Sequence, residues 1–346
     1  MNQSSENQIV SVVGIDLGKT NFQIHGVANQ GCTVLEERIS RKRLTAFAAT
    51  LPPCLVAMES CASAHYWARV FQSHGHKVKL IAPQFVKPYV KSNKNDRCDA
   101  EAICEAVQRP NMRFVAIKQV EQQDIQSLHR IRSQAVAHRT ALTNQIRGLL
   151  LEYGICLPQG RACLRRQIPL ILEDADNGLT MQFRTLLSGL YDELDHMDRR
   201  VEFLDRQVDQ VVRGSAPIQR LMGIPGIGPL SATALIAAVG DVNTFKNGRE
   251  MAAWLGLVPR QFSTGGKARL LGISKRGDVY LRQLLIHGAR AALRVIEHKQ
   301  DARSRWAKDL IERRNKNVAA VAMANKMVRT AYALLKNDES YRPYSA

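Results

Sequence analysis

Long apolar runs are absent from the 346-residue sequence, and none reaches the ~20 residues that a membrane-spanning helix needs. The first residues, MNQSSENQ, are polar and lack the apolar core of a signal peptide. The seven cysteines form no C-x-x-C pair, and their odd number and spacing fit neither a disulfide framework nor a zinc site. We therefore expect a protein of the reducing cytoplasm.

Acidic residues are scarce relative to basic ones. The chain has 49 Lys and Arg against 31 Asp and Glu, a formal net charge of +18. Such an excess predicts a polyanionic partner, with nucleic acid as the first candidate and an anionic membrane surface as the weaker one. The length allows two or three domains of ~100–200 residues each.

Residues 1–120 are expected to form an α/β domain. Three successive strands, joined by turns that contain Gly and Asn, are followed by alternating helices and strands. This order matches the layout of an RNase H-like fold. The predicted strands are 9–15, 21–28, 32–39, 54–60 and 77–83, and the predicted helices are 43–51, 65–75 and 95–108.

Four acids fall at the ends of these elements. Asp16 ends the first strand and Glu59 the fourth, and these strands are neighbours in an RNase H-like sheet. Asp96 and Asp99 lie on one face of a helix. Four converging carboxylates would repel one another without a cation, and ligation by oxygen alone suits Mg²⁺ or Mn²⁺. The set predicts a two-metal site for in-line phosphoryl displacement.

The stretch around Asp16, VVGIDLGKTNF, also permits other interpretations. It is similar to the first phosphate loop of sugar kinases and heat-shock ATPases, and Asp16 could simply begin a turn. An ATPase needs a second Gly-rich loop and an adenosine-binding Gly pair, whereas the one Gly-Gly pair here, Gly265-Gly266, lies far downstream in a basic segment. The ATPase interpretation is therefore weak.

Residues 121–214 are expected to form long helices. One pattern runs from 121 to Gly154, and a second has apolar residues at alternating spacings of 3 and 4, an a/d seam typical of a coiled coil between chains. A bundle inside one chain is the alternative. The seam residues are Leu187, Leu190, Leu194, Met197, Val201, Leu204, Val208 and Val211.

Residues 215–346 predict a mostly helical domain that contacts DNA. The string IPGIG resembles a helix-hairpin-helix turn, in which Gly226 and Gly228 could present N–H groups to a phosphate; a packing corner is the alternative. Residues 256–285 carry six Lys and Arg, and four of them follow a pair of hydroxyl residues, Ser263 and Thr264. These four predicted phosphate contacts are Lys267, Arg269, Lys275 and Arg276.

With these residues in place, the chain resembles the DEDD-type transposases of insertion-sequence family 110, subgroup 1111. The resemblance spans nearly the whole chain, and its downstream motifs are specific. They are GIDLGK (14–19), MES (58–60), NDRCDA (95–100), IPGIG (224–228), AAWLGLVPRQFSTGGK (252–267) and GISKRGD (272–278).

The resemblance implies a RuvC-type catalytic domain over 1–120, helical spacers over 121–214 and a transposase domain over 215–346. It implies a site-specific DNA recombinase of the bacterial nucleoid that is guided by an element-encoded RNA pairing with donor and target DNA. The acids named above match the family's metal set. The family also implies a synaptic tetramer joined by coiled coils, in which the metal site of one subunit meets the nucleophile of another.

A C-terminal serine is the nucleophile that the family implies. In relatives this serine directly precedes a Gly, but here Thr264 has that place and Ser263 comes one residue earlier. We favour Ser263 as the nucleophile because its hydroxyl is less hindered than that of Thr264. Thr264 remains an alternative nucleophile. A third interpretation is that both hydroxyls form a turn and take no part in catalysis. No His lies within 256–285 to act as a base, so the carboxylates and metal would have to activate the alcohol.

Two other functions remain as alternatives. A RuvC-like nuclease or Holliday-junction resolvase would hydrolyse DNA with the acids alone and need no serine. An architectural nucleic-acid-binding protein with a decayed site would keep only the basic surfaces.

Overall fold

The structure, a computed structural model, describes residues 9–91, 96–265 and 267–342. The chain divides into two compact units, Met1–Val120 and Glu121–Ala346, called the N-terminal and C-terminal units below. In the described part of the chain, no helix is both long and apolar enough to cross a membrane.

The N-terminal unit is a mixed sheet with helices on both faces. Its strand order is β3-β2-β1-β4-β5-β6, with the first three strands antiparallel, β1, β4 and β5 parallel, and β6 antiparallel to β5. The five long strands fall where alternation predicts them. The elements are β1 (Val12–Leu17), β2 (Asn21–Val27), β3 (Thr33–Ser40), α1 (Leu44–Thr50), β4 (Leu55–Glu59), α2 (Ala64–Ser73), β5 (Lys77–Ile81), α3 (Pro83–Val86), α4 (Asp96–Val107) and β6 (Phe114–Val115).

Helices cover both faces of the central strands, which explains why β1 and β4 are apolar up to the acids near their ends. Val13 and Ile15 join one core with α1 and α2, in which Trp67 and Phe71 are the large side chains. The opposite face packs on α4, where Ala57 joins a second core. Asp16 and Glu59, near the ends of β1 and β4, are half-buried, whereas the residues before them in the two strands are mostly buried.

The C-terminal unit is mostly helical, as expected, but it also contains a β-hairpin. Its elements are α5 (Val120–Glu152), α6 (Arg161–Glu173), α7 (Met181–Arg213), α8 (Ala216–Met222), α9 (Pro229–Val239), α10 (Gly248–Trp254), β7 (Pro259–Thr264), β8 (Lys267–Ile273), α11 (Val279–Arg294), α12 (Ala302–Arg313) and α13 (Lys316–Asn337). The buried residues of α8 to α11 and α13 form one core.

The a/d seam of α7 is covered within the chain. Leu187 and Leu194 pack with residues of α5 and α6, while Val201 and Leu204 pack against Ala135 of α5. These contacts favour the intrachain bundle, the alternative to a seam that pairs two chains. A 3-4 spacing shows only that a helix needs an apolar partner, and here α5 is that partner.

Ion pairs fix α5 antiparallel to α7. Arg132 pairs with Asp205 and Arg139 with Asp198. Residue numbers therefore rise along α5 in the direction in which they fall along α7. Asp198 is only 3% exposed and also pairs with Arg161 and Arg165 of α6. The charged residues between the seam positions thus join helices of one chain.

Candidate active site

The close approach of α4 to β1 depends on Gly14. A Cβ added at Gly14 would lie 2.3 Å from the carbonyl oxygen of Ala100 and 2.6 Å from the backbone nitrogen of Cys104. Gly18 lies in the tight turn after β1, where a Cβ would be 2.2 Å from the Asn21 carbonyl oxygen. Both glycines of GIDLGK therefore have packing roles, and neither is required as part of a phosphate loop.

Asp16 and Glu59 occupy neighbouring positions at the ends of two parallel strands. They directly follow Ile15 and Met58, which are register partners in the β1–β4 pair. Side chains alternate along a strand, so Asp16 shares the face of Gly14 and Glu59 shares the face of Ala57. That face is the one covered by α4, and both acids are half-buried there.

Asp99 lies on the sheet-facing stripe of α4. It is four residues before Ile103, which is fully buried with Ala57, and is itself half-buried. Asp96 is the first residue of α4, three residues before Asp99; its side chain lies outside the described part of the structure. The fold therefore directs the first turn of α4 toward the strand ends that carry the other two acids.

The electrostatics of a neighbouring thiol also indicate that Asp16 and Glu59 converge. Burial raises the pKa of the Cys61 thiol, and the carboxylates of Glu59 and Asp16 raise it further. Among the described side chains, which exclude that of Asp96, no three His, Cys, Asp or Glu groups form a cluster able to hold a metal ion. The described structure thus brings together two acids on the sheet and places the third on the facing helix.

The hairpin β7–β8, called the arm below, has a firmly held base. A Cβ on Gly256, whose φ is +71°, would lie 2.1 Å from the Arg276 carbonyl oxygen. Ser274 N donates to Val258 O at 2.8 Å. The guanidinium of the buried Arg282 donates to the carbonyl oxygens of Leu255 and Arg276, each at 3.2 Å. These contacts join the loop before α11 to the corner after α10.

The arm beyond this base extends into solvent. All six residues of β7 are exposed, and a strand of this length spans about 17 Å. Thr264 pairs with Lys267 near the tip of the arm, where Gly265 has φ +56°. Positive φ is what tight hairpin turns require. The two hydroxyl residues therefore lie at the end of a strand.

Ser263 and Thr264 point to opposite faces of the arm, because side chains alternate along β7. Gln261 shares the face of Ser263, and its Nε2 donates a hydrogen bond to Ser263 Oγ at 2.8 Å. Thr264 shares its face with Lys267, which is directly across the hairpin. The structure thus separates two hydroxyls that sequence alone treats as equivalent.

The predicted basic contacts divide into two groups. Lys267 and Arg269 are exposed on the arm, on the face of Thr264. Lys275 and Arg276 are exposed at its base, where Lys275 has a φ of +54° and its N–H donates to Gly256 O at 3.2 Å.

The two glycines of IPGIG have different surroundings. Gly226, with φ +96°, packs against α11, and a Cβ there would lie 2.7 Å from the carbonyl oxygen of Gly288. Gly226 is therefore required for close packing on α11, and its contact with a phosphate stays a prediction. Gly228 is exposed at the N-cap of α9 with no atom within 4 Å of an added Cβ, so its surroundings leave room for a phosphate.

Sequence reasoning did not find Gln261 or Arg282. A Gly-Gly pair flanked by Thr and Lys is a hairpin signal, and its alternation would have placed Gln261 beside Ser263. No local signal marks Arg282, because its role depends on two carbonyl groups brought together by the tertiary fold.

Comparisons with known proteins cover both units. A model described as Transposase IS116/IS110/IS902 family matches residues 218–307, and a DEDD transposase model for IS110 matches residues 13–155. The chain is similar to a probable family 20 transposase of Pseudomonas aeruginosa, with 53% identity over 96% of this chain and 99% of the relative. It is also 46% identical to the IS1111A transposase of Coxiella burnetii, over 96% of this chain and 92% of that protein. The IS1328 transposase of Yersinia enterocolitica is 44% identical over 94% of this chain and 96% of its own length.

Proposed function

The chain belongs to the IS116/IS110/IS902 transposase family, and we propose that it cuts and rejoins DNA with a carboxylate site and the serine of the arm. The resemblance drawn from the motifs is confirmed, and the chain is a DNA transposase of an insertion sequence. The proposed carboxylate site rests chiefly on the β1–β4 pairing, in which Asp16 and Glu59 lie side by side under α4.

We propose that the N-terminal unit is RNase H-like, of the RuvC type. Support comes from three antiparallel strands beside two parallel ones, in the order β3-β2-β1-β4-β5. In such a sheet the first and fourth strands are central neighbours, and this arrangement makes their terminal acids adjacent.

Asp16, Glu59, Asp96 and Asp99 are the proposed metal ligands. Their donors are all carboxylate oxygens, which suit Mg²⁺ or Mn²⁺, and two of them jointly raise the pKa of the Cys61 thiol. A bound pair of such cations would stabilise the attacking and leaving oxygens of a phosphoryl displacement. The fold would position these carboxylates for the cations. Gly14 lets α4 approach β1 closely enough for Asp99 to face the strand ends that carry Asp16 and Glu59.

Ser263 is the proposed nucleophile. Its Oγ forms a bond to phosphorus as the bond from phosphorus to one sugar oxygen breaks; the serine loses its proton and the departing sugar oxygen gains one. The number of phosphoester bonds is unchanged, so a free sugar hydroxyl can reverse the reaction and rejoin DNA without an external source of energy. The exposed arm supports this role because it presents Ser263 away from the helical core.

The proposed partners are donor and target DNA, an element-encoded guide RNA and further copies of the chain. The net charge of +18 and the exposed Lys267, Arg269, Lys275 and Arg276 support contacts to phosphates. The guide RNA and the synaptic tetramer are proposed on the family resemblance. We propose that assembly uses surfaces other than the covered seam of α7.

Trapping of a covalent adduct tests the proposal. DNA carrying the element's ends, labelled on one strand, is incubated with protein, Mg²⁺ and RNA transcribed from the element's non-coding end. Denaturing gels should show a protein–DNA adduct with the wild type that is absent in Ser263→Ala. An adduct lost in Thr264→Ala and kept in Ser263→Ala would move the nucleophile to Thr264.

Hydrolysis is the competing outcome. A junction resolvase would cleave DNA fully without an adduct, and Ser263→Ala and Thr264→Ala would both cleave as the wild type does. That result would remove the covalent step and leave the carboxylate site as a hydrolytic nuclease.

A further inference from the structure

The arm carries a large apolar side chain in an unusual place. Phe262 is 62% exposed on β7, one residue before Ser263. Its direct partner across the hairpin is Arg269, and Thr264, the next residue on the same face, is opposite Lys267. One face of the arm, defined here as the Phe262 face, therefore presents a phenyl ring beside two cations.

Charge complementarity restricts what can cover this face. Residues 251–277 contain five Lys and Arg and no Asp or Glu. An acidic or neutral protein surface could cover a phenyl ring, but a ring with regularly placed cations matches a strand of nucleic acid, whose bases have apolar faces and whose phosphates are anionic. An unpaired base is required, because a paired base within a duplex is already stacked on both sides.

The opposite face of the arm provides an internal comparison. Gln261 and Ser263 share that face with Leu270, which is 67% exposed. Leu270 thus exposes an apolar side chain on the same hairpin, next to Arg269 in sequence but pointing away from it. Stacking on Phe262 and simple apolar contact with the arm can therefore be distinguished.

We propose that the Phe262 face binds a single nucleic-acid strand, with an unpaired base stacked on Phe262 and the adjoining phosphates on Lys267 and Arg269. The proposal rests on the proposed function only in taking nucleic acid as the partner; it does not require Ser263 to react. The strand belongs to DNA opened at the reaction site or to the guide RNA, and the chemistry of both is the same at this face.

The experiment measures binding by the full-length protein with Ser263→Ala as background, so that covalent chemistry has no influence. The probes are single-stranded DNA and RNA oligonucleotides of one sequence that contain 2-aminopurine, whose fluorescence is quenched when it stacks on an aromatic ring. Phe262→Ala should weaken binding of the preferred probe roughly 5- to 150-fold and abolish the quenching. Phe262→Trp should retain both, and Leu270→Ala should change affinity less than about twofold.

Salt dependence separates the two kinds of contact. Lys267→Ala should reduce the slope of log affinity against log salt by about 0.7, as expected for one phosphate on a single strand, and Phe262→Ala should leave the slope unchanged. The preferred probe identifies the source of the strand.

Three results would overturn the proposal. One is an equal loss of affinity in Phe262→Ala and Leu270→Ala. Another is full quenching in Phe262→Ala. The third is a change of oligomeric state in Phe262→Ala with unaltered binding, which would make the face a contact between copies of the chain.

Discussion

Gln261 donates a hydrogen bond from Nε2 to the Oγ of Ser263 at 2.8 Å, on a strand where every residue is exposed. The bond occupies an acceptor position of the hydroxyl and leaves its proton directed elsewhere. A donor aimed at an oxygen that becomes negatively charged stabilises that charge as it develops. Under the proposed role of Ser263, this bond orients its hydroxyl and stabilises the negative charge that Oγ develops as it attacks.

Gln261→Ala should slow formation of the covalent adduct about tenfold, the effect of one net hydrogen bond of about 1.4 kcal/mol. Affinity for DNA should not change. Gln261→Glu should be equally slow at neutral pH, where the carboxylate cannot donate, and its rate relative to that of the wild type at the same pH should recover in part as the pH falls toward about 5. Single-turnover gels across this pH range provide the measurement, and weaker DNA binding with an unchanged adduct rate would contradict the role.

The carboxylate site predicts a loss of chemistry without a loss of binding. Asp16→Ala and Asp99→Ala should each reduce strand cleavage in Mg²⁺ by on the order of 10³, while affinity for DNA, which depends on Lys and Arg, changes little. Glu37→Gln, on β3 of the same sheet, is the matched control and should cleave normally. Cleavage at the wild-type rate by either Asp variant would refute the assignment of these acids.

The covered seam of α7 predicts an effect on stability and not on assembly. Leu194 is fully buried among residues of α5 and α6, so Leu194→Ala should cost about 2–5 kcal/mol and lower the thermal midpoint of unfolding. Leu186, 58% exposed on the same helix, should tolerate Ala within about 0.5 kcal/mol. Light scattering that showed release of monomers from Leu194→Ala, with the midpoint unchanged, would restore a coiled coil between chains.

Local patterns were sufficient to predict the five long strands of the N-terminal sheet. These strands alternate or form short apolar runs, as strands β1 to β5 do in the structure. The adjacency of Asp16 and Glu59 needed more, because β1 and β4 are not consecutive in the chain. It was predicted from the RNase H-like layout and not from a local pattern.

Other features depend on contacts that no local pattern contains. The seam of α7 has the same spacing in a bundle as in a coiled coil, and it is the contacts of α7 with α5 and α6 that favour the bundle. Gly226 is similar to a phosphate-binding glycine in sequence, yet it is required for its contact with Gly288, far along the chain. The arm was not predicted, because the segment was examined for its charges and hydroxyl groups and not for the alternation of a hairpin.

A buried histidine links three helices of the C-terminal unit. His129 of α5 is 3% exposed, and its Nε2 lies 2.9 Å from Thr233 Oγ1 of α9. Thr233 donates its own proton to Pro229 O at 2.7 Å, so it accepts from Nε2–H. Nδ1 then accepts from the hydroxyl of Tyr280 in α11, at 2.9 Å. This chain of bonds requires a neutral imidazole.

The neutral state of His129 predicts a loss of stability in acid. Burial, with a smaller effect from the charge of Arg132, lowers the pKa of His129 to about 4 from 6.5. As the pH falls, the unfolded chain therefore binds this proton before the folded protein does. The contribution of neutral His129 to the free energy of unfolding is complete above pH ~6.5 and is lost progressively between ~6.5 and ~4, by roughly 3 kcal/mol in total. His129→Gln should flatten the pH dependence of the thermal midpoint over this window, although it lowers the midpoint at pH 7. His138→Gln, exposed on the same helix, should leave the pH dependence as in the wild type. If both variants kept the wild-type slope, the acid sensitivity would arise from other groups.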